Sequence, residues 1–116
     1  MMNLQSKVLD LNAELPVLKI TMPDEARSVL EIMLPEEALI NELQNMGPEL
    51  QRMQTGDRAG VEACYVLAAK LLSYNTDGIQ LTAKDLRERY NLRMMQMIMV
   101  LKAYMDFIEQ LNNQKN

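Results

Sequence analysis

Ahead of Pro35 the apolar positions of the chain alternate with polar ones, and behind it they recur every three or four residues. Two alternating segments, Val17-Leu18-Lys19-Ile20-Thr21-Met22 and Val29-Leu30-Glu31-Ile32-Met33-Leu34, flank the turn-forming stretch Pro23-Asp24-Glu25-Ala26-Arg27. This pattern predicts a β-hairpin with Leu18, Ile20 and Met22 on one side, matched by Leu30, Ile32 and Leu34 on the partner strand, and with Lys19, Thr21 and Glu31 outward. A helix over Ala26 to Met33 is the competing reading of the second segment. A lone hairpin is marginally stable, so its apolar face must rest on the helices or on strands of another subunit.

The rest of the chain carries helix punctuation. Pro35 followed by Glu36 and Glu37 suits a helix start, because proline fits the first turn and acids complement the positive end of the helix dipole. Leu39, Ile40, Leu43 and Met46 form its buried face. Gly47-Pro48 ends it, and Pro48 opens a short helix bearing Leu50 and Met53. Asp57 in the turn Thr55-Gly56-Asp57 is placed to cap a central helix with Val61, Cys64, Tyr65, Ala68, Leu71 and Leu72 inward. Asn75-Thr76-Asp77-Gly78 is turn chemistry, and Thr82 with Asp85 makes a capping box for a helix reaching Arg89 or Tyr90. Asn91 suits a left-handed residue before the last helix, Leu92 to Leu111, and residues 112–116 read as a frayed polar tail.

That last helix holds five of the eleven methionines. Met94, Met97, Ile98, Leu101, Tyr104, Met105, Ile108 and Leu111 fall on one broad core-facing stripe. Met95, Met99, Ala103 and Phe107 follow a second line at four-residue spacing, interrupted by Lys102 and Asp106. Methionine is unbranched and polarizable, so a row of it suits a surface that repacks against different partners. Packing on a neighbouring helix of the same chain is the alternative use of the second line.

Composition narrows the picture. At 116 residues the chain is the size of one domain, expected to span 1–116 without disulfide or metal support. With one Phe and no Trp, its core must be aliphatic and Met-filled. Sixteen acidic and twelve basic residues give a net charge of −4, and the basic ones are scattered, so nucleic acid is an unexpected partner. The cluster Lys84, Arg87, Arg89 and Arg93 is interleaved with Asp85 and Glu88 and reads as a solvated helix face. The lone Cys64 behaves as a small buried hydrophobe, which fits a reducing cytoplasm. The first residues lack a secretion signal pattern, and no apolar run approaches the about 20 residues that span a bilayer.

The residue inventory argues for binding rather than catalysis. There is no histidine, which removes Ser-His and Cys-His hydrolases and His-bearing metal sites. Four glycines, at positions 47, 56, 60 and 78, build neither phosphate-loop motif. Glu36, Glu37, Asp85, Glu88, Asp106 and Glu109 are the candidates for acid–base work, but helix starts and polar strips account for them more simply. No catalytic, metal or cofactor site is expected.

The stretch Leu67-Ala68-Ala69-Lys70-Leu71-Leu72-Ser73-Tyr74-Asn75, then Leu81-Thr82-Ala83-Lys84-Asp85-Leu86, then Lys102-Ala103-Tyr104-Met105-Asp106-Phe107-Ile108 resembles the tail assembly chaperones of long-tailed phages and prophages. The shared pattern is a helix ending in a small polar turn, a Thr-capped short helix and a last helix finishing near Tyr-x-x-Phe-Ile; it covers roughly half the chain. The resemblance implies a non-enzymatic cytoplasmic protein that binds the tape measure protein, keeps its long apolar helices soluble, and releases it as tail-tube subunits polymerise. It also implies a longer product made by programmed frameshifting, for which Gln114-Lys115-Asn116 is encodable as the slippery CAA AAA AAY.

The expectation is thus a mainly α (α+β) fold, an N-terminal hairpin followed by four to five helices, with Met95, Met99, Ala103 and Phe107 as the partner surface. A homo-oligomeric phage scaffold without a separate client is the second reading.

Overall fold

A computed structural model describes residues 16–114 as a two-stranded antiparallel hairpin followed by five helices. The elements are β1 (Leu18–Thr21), β2 (Val29–Ile32), α1 (Glu37–Gln44), α2 (Gly47–Gln54), α3 (Arg58–Leu72), α4 (Ala83–Glu88) and α5 (Met94–Gln114). This is the mainly helical architecture with a leading hairpin that the spacing predicts. The segment Val8-Leu9-Asp10-Leu11, the side chain of Met53 and residues 115–116 lie outside what is described.

The hairpin register pairs Leu18 with Ile32, Lys19 with Glu31, Ile20 with Leu30 and Thr21 with Val29. Asp24 sets the turn: its carboxylate accepts from the Ser28 amide at 2.8 Å and from the Ser28 hydroxyl at 2.6 Å, while Arg27 takes a left-handed φ of 52°. Those bonds hold the Asp24 carboxyl below its ordinary value, the hydroxyl contributing most. A carboxylate with a depressed folded pKa stabilises above its unfolded value and loses that contribution as pH falls through the folded one. Ser28→Ala is expected to raise the Asp24 titration toward the ordinary 3.8, as followed by carboxyl carbon shifts in NMR.

The second strand ends sooner than the alternation predicts. Leu34 is 47% exposed rather than inward, because beyond Ile32 the Met33 amide donates to the Tyr74 carbonyl and the chain leaves the sheet for the buried Pro35. The segment Tyr74-Asn75-Thr76 thus forms a strap along the far end of β2's outer edge, with Ile32 bridging to Asn75 and the Thr76 amide donating to the Glu31 carbonyl at 2.9 Å.

Local chemistry places the helix starts. The Asp57 carboxylate accepts from the Ala59 amide, and Thr82 with Asp85 forms the reciprocal capping box, at 3.1 and 3.0 Å. Asn91, at φ 55°, turns the chain into α5. Helix α5 continues through residues 112–114, where polar composition suggests a frayed tail. Helix α3 is central: besides the inward positions its spacing indicates, Leu67 and Ala69 are also buried. Tyr65 ties it to the chain before α5 by donating to the Leu92 carbonyl at 2.8 Å, and the Arg87 guanidinium lies 4.1 Å over its ring while bonding Glu62 at 2.6 Å. The core around α3 takes in Met22, Leu30, Ile32, Leu43, Leu86, Met97, Leu101 and Tyr104. It is mainly aliphatic, but the buried Tyr65, Tyr90 and Tyr104 fill it alongside Met22, Met46 and Met97, so it is less Met-filled than composition suggests.

Candidate functional site

Helix α5 carries the candidate surface. Its inner stripe is largely as the spacing indicates, with Met97, Leu101, Tyr104 and Ile108 buried and Ile98, Met105 and Leu111 half-buried. Val100, on neither expected line, is buried too, and Met94, expected inward, is 39% exposed. The two deviations share a cause: β1 packs beside α5 on the Val100 side, shifting the covered arc toward Val100 and away from Met94, while Met97 in the same first turn stays buried. Burial of Tyr104 pushes its phenol far up from the ordinary value, and the neutral hydroxyl donates to the Met33 carbonyl at 2.5 Å.

The four expected partner residues divide. Met95 and Met99 point outward at 66% and 67% exposure, one helical turn apart. Ala103 is half-buried in the wall of a groove, and Phe107 is half-buried against the core, edge-on to Tyr104 with ring centroids 6.1 Å apart. Phe107 therefore belongs to packing more than to an open surface. Four-residue spacing drifts around a helix, because four residues exceed one 3.6-residue turn, and the drift carries Phe107 toward the core.

The groove of about 320 Å³ lies between β1 and α5. One wall is β1 itself, through Leu18, Ile20 and Met22; the other is Gln96, Met99 and Val100 with Ala103. Sequence spacing cannot show this meeting of the first and last elements. The groove follows a sheet edge whose peptide groups find no backbone partner among the described residues. A separate hollow of about 680 Å³ is walled by Glu36, Glu42, Lys70 and Tyr74, and its Lys70 and Glu42 pair at 3.5 Å.

Elsewhere the charged groups are dispersed. Among the described residues no group of three His, Cys, Asp or Glu side chains converges as a metal site would require. Glu36, Glu37, Glu88, Asp106 and Glu109 are exposed, and Asp85 caps its helix. In the basic cluster Arg87 is bound to Glu62 and Arg89 lies over the Tyr90 ring at 5.2 Å. Cys64 is fully buried, and burial raises its thiol pKa. No described helix is long and apolar enough to cross a membrane.

No family model matches the chain, and neither curated proteins nor solved structures yield a match.

Proposed function

We propose that this protein is a non-enzymatic phage tail assembly chaperone whose client is the tape measure protein, bound through the outward methionines of α5. The observation that carries the reading is the pair Met95 and Met99, each about two-thirds exposed on the longest helix and bordered by the partly exposed Met94. An exposed unbranched apolar side chain is unfavourable in water and favourable against another apolar face, and its flexibility tolerates imperfect fit. Long client helices with apolar seams supply such faces. Contacts spread over a few methionines give modest affinity per molecule, which permits release when tube subunits displace the chaperone.

Co-expression tests the proposal. A tape measure protein that is insoluble alone is expected to move into the soluble fraction with this chain and to co-purify with it; an unchanged insoluble fraction would count against the reading. At the nucleic acid level, reading the codons of Gln114-Lys115-Asn116 and the overlapping frame tests the frameshift that the family resemblance implies.

A further inference from the structure

We infer that the groove between β1 and α5 receives the β1 strand of a second copy of this chain, joining two hairpins into one four-stranded sheet around a two-fold axis at Ile20. The phase of the hairpin's hydrogen bonds carries the inference. The Met22 amide donates to the Ser28 carbonyl at 2.7 Å, and bonded and unbonded pairs alternate along an antiparallel ladder. Ile20 and Leu18 therefore turn their peptide groups toward β2, while Lys19 and Thr21 turn theirs away. Of the β2 residues of the same phase, Glu31 and Met33 are bonded to the strap at Thr76 and Tyr74, and Val29, at the turn end, is not. On β1 the corresponding groups of Lys19 and Thr21 have no backbone partner among the described residues, and the groove runs alongside them.

An occupant of this edge must be extended, and it must present apolar side chains to α5 at every second position. The β1 strand has that pattern, and one register satisfies every demand. With Ile20 opposite Ile20 of the second copy, Lys19 faces Thr21, and each such pair exchanges two backbone hydrogen bonds, four in all. Slipping by one residue sets apolar against polar side chains. Slipping by two in one direction sets Lys19 against Lys19, and in the other sets Lys19 against Pro23, which has no amide to donate. Because the strap occupies the Glu31–Met33 end of β2, the β1 edge is the longer open edge among the described residues, and two-fold pairing through it uses that edge up and gives a dimer. The two-fold axis is perpendicular to the sheet, so both α5 helices lie on one face.

Sedimentation of the full chain is expected to give twice the monomer mass, and Thr21→Pro, which deletes an outward amide the hairpin does not use, is expected to give the monomer mass with unchanged circular dichroism. Register is tested by cross-linking, since Cys64 is buried and does not compete. Ile20→Cys sits opposite itself at an unbonded pair and is expected to form a covalent dimer on mild oxidation, whereas Lys19→Cys is not. Three results would each overturn the inference: a monomeric wild type, a dimer indifferent to Thr21→Pro, or equal cross-linking at both positions. A monomer whose Lys19 and Thr21 amides resist hydrogen exchange would likewise overturn it, assigning the edge to another segment of the same chain.

Discussion

Replacing Met95 and Met99 together with aspartate is expected to abolish client solubilisation while leaving the protein folded. Both side chains are about two-thirds exposed, so the change in unfolding free energy should stay within about 0.5 kcal/mol per site, the range of surface substitutions. Binding should respond far more strongly, because closing an apolar client face over the new carboxylates strips them of water without offering a partner. The measurement is the soluble fraction of co-expressed client beside a melting curve of the isolated variant. A large fall in melting temperature would assign these methionines to the core and remove the proposed surface. Met99 also lines the β1 groove, so Met95→Asp alone separates the two interfaces: client binding should fall with no change in sedimented mass.

Asn75→Ala is expected to cause the largest single loss of stability among polar substitutions, on the order of 3 kcal/mol from unsatisfied buried groups. Asn75 is 2% exposed and uses its side chain fully. Its amide nitrogen donates to the carbonyls of Leu72 and Ile79 at 2.8 and 2.7 Å, and its carbonyl oxygen accepts from the Ile79 amide at 2.9 Å. Removing it orphans the end of α3 and loosens the strap bonded to the Glu31–Met33 end of β2, so urea unfolding should shift to a lower midpoint. Asn75→Asp should also destabilise, since a carboxylate cannot donate to either carbonyl. An unchanged midpoint in both variants would show that the strap carries no stability of its own.

The parts of this fold that depend on near neighbours are legible in the sequence. Alternation around Leu18 to Ile32 gives the hairpin, and the caps at Asp57, at Thr82 with Asp85, and at Asn91 need only residues a few positions apart. What depends on distant segments is not. Asn75 reads as ordinary turn chemistry until Ile32 lies beside it, and Val100 joins the core because β1 lies beside α5. The same limit applies to the site: composition and spacing single out Met95 and Met99, but the groove and the open edge emerge only when the two ends of the described chain meet. Phe107 shows the converse, a residue whose spacing suits a surface line and whose ring is held by Tyr104.

Cys64 gives the molecule a reporter that needs no engineering. It is fully buried in α3, its thiol is held in the unreactive protonated form by burial, and no other cysteine exists in the chain. A thiol reagent can reach it only when the helices around α3 part, so the labelling rate is a clock for opening of the core. A client or second copy that clamps α5 onto the rest of the protein would slow that clock, whereas one that engages only the outer methionines would leave it running at the same pace.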